Sequence, residues 1–168
     1  MIEYPTKILL ATDGTDDSIR AAHVAVALSS KTGAELHVAH VGQVSTAPTS
    51  GASATGSAPL PSVPYEHFVK RAERLLEQQV ERVRSAGGAI TQAYLRMGRP
   101  AHEVVALSKE LGADLLVIGS GRPRPVRRAV TATMRRGALG SVSDYVVRSA
   151  RCPVLVVHGD GLPEAAGS

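Results

Sequence analysis

The chain has no tryptophan, one phenylalanine and one cysteine among its 168 residues. A single cysteine, Cys152, excludes an intrachain disulfide framework and makes a reducing cytoplasm the expected compartment. So few aromatics exclude a platform on which single-stranded bases would stack, which makes nucleic acid an unexpected partner. No apolar run approaches the roughly 20 residues that span a bilayer, and the start Met-Ile-Glu-Tyr-Pro-Thr-Lys lacks a basic region leading into an apolar core. We therefore expect neither a membrane segment nor a removable signal.

Several catalytic and cofactor signatures are also missing. There is no Gly-Lys-Ser or Gly-Lys-Thr, which excludes a Walker-type loop, and no Gly-x-Ser-x-Gly, which removes the nucleophile elbow of a hydrolase. The loop after the first apolar run reads Asp13-Gly14-Thr15-Asp16-Asp17, where a dinucleotide fingerprint would need glycines; its three carboxylates would repel a pyrophosphate. His37 and His40 stand three apart on an expected strand, whose period of two sends them to opposite faces, so they cannot chelate one ion. His23, His67, His102 and His158 are scattered over different elements and read as surface or interface residues.

What is present alternates between strand and helix. Apolar runs at Lys7–Thr12, Leu36–Val41, Ala89–Arg96, Asp114–Ile118 and Pro153–Val157 read as five strands, the third polar enough for a sheet margin and the fourth apolar enough for an inner position. Helical stripes separate them: Ile19, Ala22, Val26 and Ala27 up to Gly33; Val69, Ala72, Leu76, Val80 and Val83 up to Gly87; Val104, Leu107 and Leu111 up to Gly112; and Val142, Val146 and Val147. Pro64 and Pro100 suit helix starts. Ser141 reads as an N-cap, with Asp144 three residues on in a capping-box arrangement. The expected fold class is α/β, a Rossmann-like or flavodoxin-like parallel sheet in a single domain spanning 1–168.

Two segments interrupt this pattern. From Gly42 to Pro64 there is no charged residue and little bulky apolar surface, so an inserted surface loop is expected, and 159–168 reads as a disordered tail. The second interruption, 122–136, holds Arg122, Arg124, Arg127, Arg128, Arg135 and Arg136, where the excess behind the formal charge of +4 is concentrated.

The strand ending in Gly119-Ser120-Gly121 and the helix opening at Gly140-Ser141-Val142 frame a candidate phosphate cradle. A glycine turn uncovers backbone N–H groups, and a helix N-terminus supplies unpaired donors with partial positive charge. Asp13, at the end of the first strand, has two readings: a turn former or helix cap, or a contact to a ribose hydroxyl or a bound cation.

The segments Ile8–Thr15, Ala113–Ser120, Leu139–Val147 and Cys152–Val157 together resemble the universal stress protein family. That resemblance implies strand order 3-2-1-4-5 with helices on both faces, a homodimer joined through the last strand, and, in one subclass, bound ATP acting as a regulatory ligand in the stress response. Carried over by position, Ala11, Thr12, Asp13 and Val41 would place the adenosine. Gly119, Ser120, Gly121, Arg122, Gly140, Ser141 and Val142 would hold the phosphates, with Asp13 reaching Mg2+ only through the nucleotide. The chain departs from the family pattern in having Arg122 where a glycine is usual and a longer stretch before Gly140. Its arginines either clamp a triphosphate or, with the ligand lost, form a solvated basic loop. The second functional reading is a nucleotide-free dimeric module whose arginine-rich loop docks an acidic protein or nucleic acid, against which stands ordinary solvated charge.

Overall fold

The computed structural model describes residues 4–44, 63–121 and 139–158. Most of the expected loop between Gly42 and Pro64, all six arginines of the basic segment, and the tail lie outside the described residues.

Five strands and four helices alternate: β1 (Lys7–Ala11), α1 (Asp16–Thr32), β2 (Glu35–Gly42), α2 (Tyr65–Ser85), β3 (Ile90–Met97), α3 (Pro100–Leu111), β4 (Leu115–Gly119), α4 (Ser141–Ser149) and β5 (Val154–Val157). They form one parallel sheet in the order β3-β2-β1-β4-β5. β1 lies at the centre, with Leu10 opposite Val38 of β2 and Val117 of β4. The strand read as marginal, β3, is an edge strand with Thr91, Gln92 and Ala93 exposed, and the strand read as inner, β4, has four buried residues.

The alternation of side chains across the sheet divides the core in two. Ile8 and Leu10 of β1 pack with Ala21 and Ala25 of α1 and Val83 of α2, whereas Leu9 packs on the other face with Val104 and Leu107 of α3 and Val146 of α4. Ile8, Leu9 and Leu10 are all fully buried; each such side chain stabilises the fold by about 1.5–3 kcal/mol relative to exposure. His37 and His40 fall on opposite faces as period two requires, yet both are buried. Tyr94 O–H and Glu35 flank the two ring nitrogens of His37, at 3.3 and 3.2 Å. His158, read as a surface residue, is half-buried.

Local chemistry sets the helix ends. Thr15 caps α1 by accepting from the Ser18 N–H, and Gly33 closes that helix in the left-handed conformation at φ 73°. Pro100 occupies the first turn of α3, where its missing N–H costs nothing. The stripe expected on α1 is rotated: Ser18, Ala21, Ala22, Ala25 and Val26 are buried while Ala27 is exposed. Small residues let this helix approach β4, and Gly119 makes room for it, since a Cβ there would stand 2.8 Å from the backbone of Asp17 and Ser18.

The expectation for Ser141 is corrected by one position. Gly140, with extended φ −65° and ψ 162°, is the N-cap, and Ser141 is already inside the helix. Asp144 donates its N–H to the Gly140 carbonyl at 2.9 Å and its carboxylate pairs with Arg148 at 3.0 Å, so no capping box forms.

At the opposite end of the sheet, Asp114 ties β1 to β4. Its carboxylate accepts from the Thr6 N–H at 2.9 Å, the Thr6 hydroxyl at 2.7 Å and the Lys7 N–H at 3.0 Å. Burial acts to raise its pKa, but these hydrogen bonds, led by that of the Thr6 hydroxyl, outweigh it and hold the carboxyl below its ordinary value. A lowered folded-state pKa stabilises the fold above the unfolded value, and that stability is lost as pH falls through the folded value. Asp114→Asn is therefore expected to cost about 1 kcal/mol at neutral pH, solvent screening holding it to the low end. In denaturant melts the gap between variant and wild type should close as pH drops below about 4; a pH-independent gap would contradict this account.

Candidate functional site

In an open parallel sheet, the loops at the carboxyl ends of the strands separate where the chain reverses its winding direction. Here that point lies between β1, whose chain continues to β2 through α1, and β4, which is entered through α3 on the opposite face. A cleft of about 120 Å³ opens there. Ala11, Thr12 and Asp13 form one side; Ala39 and Val41 of β2 and Val104 of α3 add apolar walls; Gly119, Gly121 and Val142 close the far side.

The β1–α1 loop is held from several directions. The Thr12 N–H donates to the Ala39 carbonyl at 2.9 Å, and the Thr12 carbonyl accepts from Nδ1 of buried His40 at 2.9 Å, which fixes that ring's tautomer. The Thr12 hydroxyl donates to Oε1 of Gln79 at 3.1 Å, and Gln79 is itself buried within α2. Asp13 Oδ1 accepts from the Thr15 N–H at 3.0 Å and the Thr15 hydroxyl at 2.6 Å, so Asp13 is a turn former. Its Oδ2 makes no hydrogen bond among the described residues.

The opposite loops meet more tightly than a phosphate cradle would require. Ser120 is fully buried. Its N–H donates to the Val157 carbonyl at 2.9 Å, its hydroxyl to the Asp17 carboxylate, and its carbonyl accepts from the Gly140 N–H at 2.9 Å and the Ser143 hydroxyl at 2.7 Å. The backbone donors of Ser120 and Gly140 are thus already engaged, which corrects their expected part in holding phosphate. A Cβ on Gly140 would lie 2.3 Å from the Gly121 carbonyl oxygen, so glycine is needed there for loop-to-loop packing. Gly121 itself turns the chain at φ 64°.

What stays open is the first turn of α4. The N–H groups of Ser141, Val142 and Ser143 have no intrahelical partner and make no hydrogen bond among the described residues, and no side chain caps this helix. At the start of α1, by contrast, Asp16 and Asp17 place carboxylates that repel an anion. Among the described residues no group of three His, Cys, Asp or Glu side chains is placed to hold a metal ion. Cys152 has its thiol pKa pushed up, chiefly by burial and also by the Asp114 charge, the opposite of a reactive thiolate.

The sequence profile of the universal stress protein family matches residues 5–158. The chain belongs to this family. Universal stress protein YxiE of Bacillus subtilis is 35% identical over 160 residues, covering 90% of this chain and 98% of that protein. A solved universal stress protein in complex with cAMP superposes with a TM-score of 0.63 at 23% identity, covering 91% and 97% of the two chains. The universal stress protein of Archaeoglobus fulgidus in complex with dAMP superposes with a TM-score of 0.60 at 21% identity, covering 93% and 99%.

Of the residues singled out from the universal stress protein motifs, Ala11, Thr12, Asp13, Val41, Gly119, Gly121 and Val142 line the cleft, and Ser141 sits just outside it beside Val142. Ser120 and Gly140 lie behind the wall as its fastening, and Arg122 is outside the described residues. Sequence reasoning missed Ala39, Gln43, Pro100, Val104 and Ser143 as lining residues. Pro100 and Val104 were legible only as helix residues, because their contribution depends on α3 crossing over β1. Gly140→Ala is expected to push the Gly121 carbonyl away and lower thermal stability by about 1–3 kcal/mol. If the melting temperature does not move, the two loops are not in contact as described.

Proposed function

We propose that the cleft binds an adenine nucleotide, ATP in the first instance, as a regulatory ligand in a stress response. The observation that carries this reading is the convergence, at one strand-order reversal, of an apolar slot, an Asp13 oxygen with no described partner and the uncapped first turn of α4. Ala11, Ala39 and Val41 offer a slot for a flat base, and Asp13 Oδ2 is an acceptor for a ribose hydroxyl. The N–H groups of Ser141 and Val142 suit a phosphate. Mg2+ would arrive with the nucleotide, since the described residues supply no ligand cluster of their own. The cAMP and dAMP complexes of the two family members support an adenine nucleotide as the class of ligand. The reading is one of binding before catalysis.

Assembly through the last strand belongs to the same proposal. β5 is an edge strand of Val154-Leu155-Val156-Val157, with Leu155 exposed and one side of its backbone unpaired among the described residues. Such an edge invites a second strand. No helix among the described residues is long and apolar enough to cross a membrane.

Titration calorimetry with ATP and magnesium on the purified protein tests the ligand. Saturable binding at or below millimolar concentration is expected, and its absence would overturn the nucleotide reading. For the assembly, Leu155→Arg is expected to convert a dimer to a monomer in sedimentation velocity; a wild type that sediments as a monomer would remove the dimer from the proposal.

A further inference from the structure

A second depression opens beside the cleft and shares Gln43, Pro100 and Val142 with it. It is a groove of about 550 Å³ between α3 and α4, whose polar lining comes from Gln43, Arg99, His102, Ser141 and Tyr145. Among the described residues no carboxylate lines it. The cleft, in contrast, carries Asp13. The two connected cavities therefore differ in charge, acidic at the inner end and basic at the outer.

The cationic side chain of the groove is uncommitted. Arg96 pairs with Glu110 and Arg148 with Asp144, while the Arg99 guanidinium, exposed at the mouth of the groove, has no carboxylate partner among the described residues. His102 stacks on Tyr145 with ring centroids 4.5 Å apart and tilted by 33°. Tyr145 Oη lies 3.3 Å from His102 Nδ1, and in the neutral tautomer whose Nδ1 accepts from the Tyr145 O–H the remaining ring nitrogen, Nε2, carries the proton. In that tautomer, as in the charged form, the imidazole presents an Nε2–H donor. An arginine fork, an N–H from a ring held by its neighbour, and the Ser141 hydroxyl form a donor set suited to anionic oxygen.

We infer that this groove takes the distal phosphates of an adenine nucleotide whose nucleoside occupies the cleft, with Arg99 and His102 as the residues that distinguish tri- and diphosphates from the monophosphate. The inference rests on the nucleotide reading above and extends it to selectivity. Val142, common to both cavities, marks where the phosphate chain passes from one to the other. The distal phosphates are then held by α3 and α4, elements of the sheet-covering layer, rather than by the arginine-rich segment.

The test is calorimetry with adenosine, AMP, ADP and ATP on the full chain, wild type and Arg99→Ala, with Arg99→Lys as the conservative variant. Wild type is expected to bind ATP more tightly than AMP. Arg99→Ala should weaken ATP roughly tenfold while leaving adenosine unchanged, and Arg99→Lys should recover part of the loss. Because Arg99 is exposed and unpaired, the melting temperature of each variant should match wild type, which separates lost contacts from lost fold. If wild type binds adenosine and ATP equally, or if Arg99→Ala weakens both alike or neither, the groove is not the phosphate site although the nucleotide reading stands. If wild type binds none of the four, both readings fall.

Discussion

The backbone and side chain of Ser120 are the point on which the carboxyl end of the sheet depends. From one fully buried residue, hydrogen bonds run to Val157 at the end of β5, to Asp17 in the first turn of α1, and to Gly140 and Ser143 at the start of α4. The four partners come from three stretches of chain, so β5, α1 and α4 are located relative to β4 by a residue that never meets solvent. A buried polar group of this kind is costly unless its capacity is filled, and here donors and acceptor are all used. Two glycines make the arrangement possible. Gly119 admits the α1 backbone from one side and Gly140 admits the Gly121 carbonyl from the other.

That fastening decides the electrostatics of the cleft. Four helices direct their N-termini toward this end of the sheet, but they do not present equal fields. α1 is occupied by its own carboxylates and its Thr15 cap, and Asp17 is further engaged with Ser120 and, at 3.8 Å, with Arg20. α4 begins at a glycine, without a side chain to fold back, and its first donors have no partner among the described residues. An anion entering the cleft meets repulsion on the α1 side and attraction on the α4 side, which orients a ligand with one charged end before any specific contact is made.

Much of this was legible in the chain itself. Short apolar runs and period-3.6 stripes located the five strands and four helices, because Ile8–Leu10 and Leu115–Ile118 must be buried on both faces and the helical stripes on one. The cleft residues Asp13 and Gly121 were singled out because they follow the ends of strands, and Val41 only through the family resemblance. Two errors have physical causes. Ser141 looked like a cap because serine favours that position, but Gly140 takes it, since only a residue without Cβ fits against Gly121. Ser120 looked like a phosphate donor because it stands between glycines, and its engagement with Val157 and Asp17 depends on contacts 37 and 103 residues away that no local pattern encodes. The groove at Arg99 and His102 was invisible for the same reason, its walls being brought together by the crossing of α3 and α4.

Gln79 lies buried in the second turn from the end of α2, on the far side of the sheet from α3 and α4, and holds the Thr12 hydroxyl, while Gly14 leaves space beside its amide nitrogen. The wall of the cleft is therefore braced by a helix that takes no part in lining it. Free energy that a bound molecule contributes to ordering Thr12 is shared with α2 through this amide, and the sharing is reciprocal. The helix entered directly from the uncharged 45–62 stretch is in this sense a thermodynamic component of the cleft: loosening one end of the Gln79–Thr12 link slackens the other.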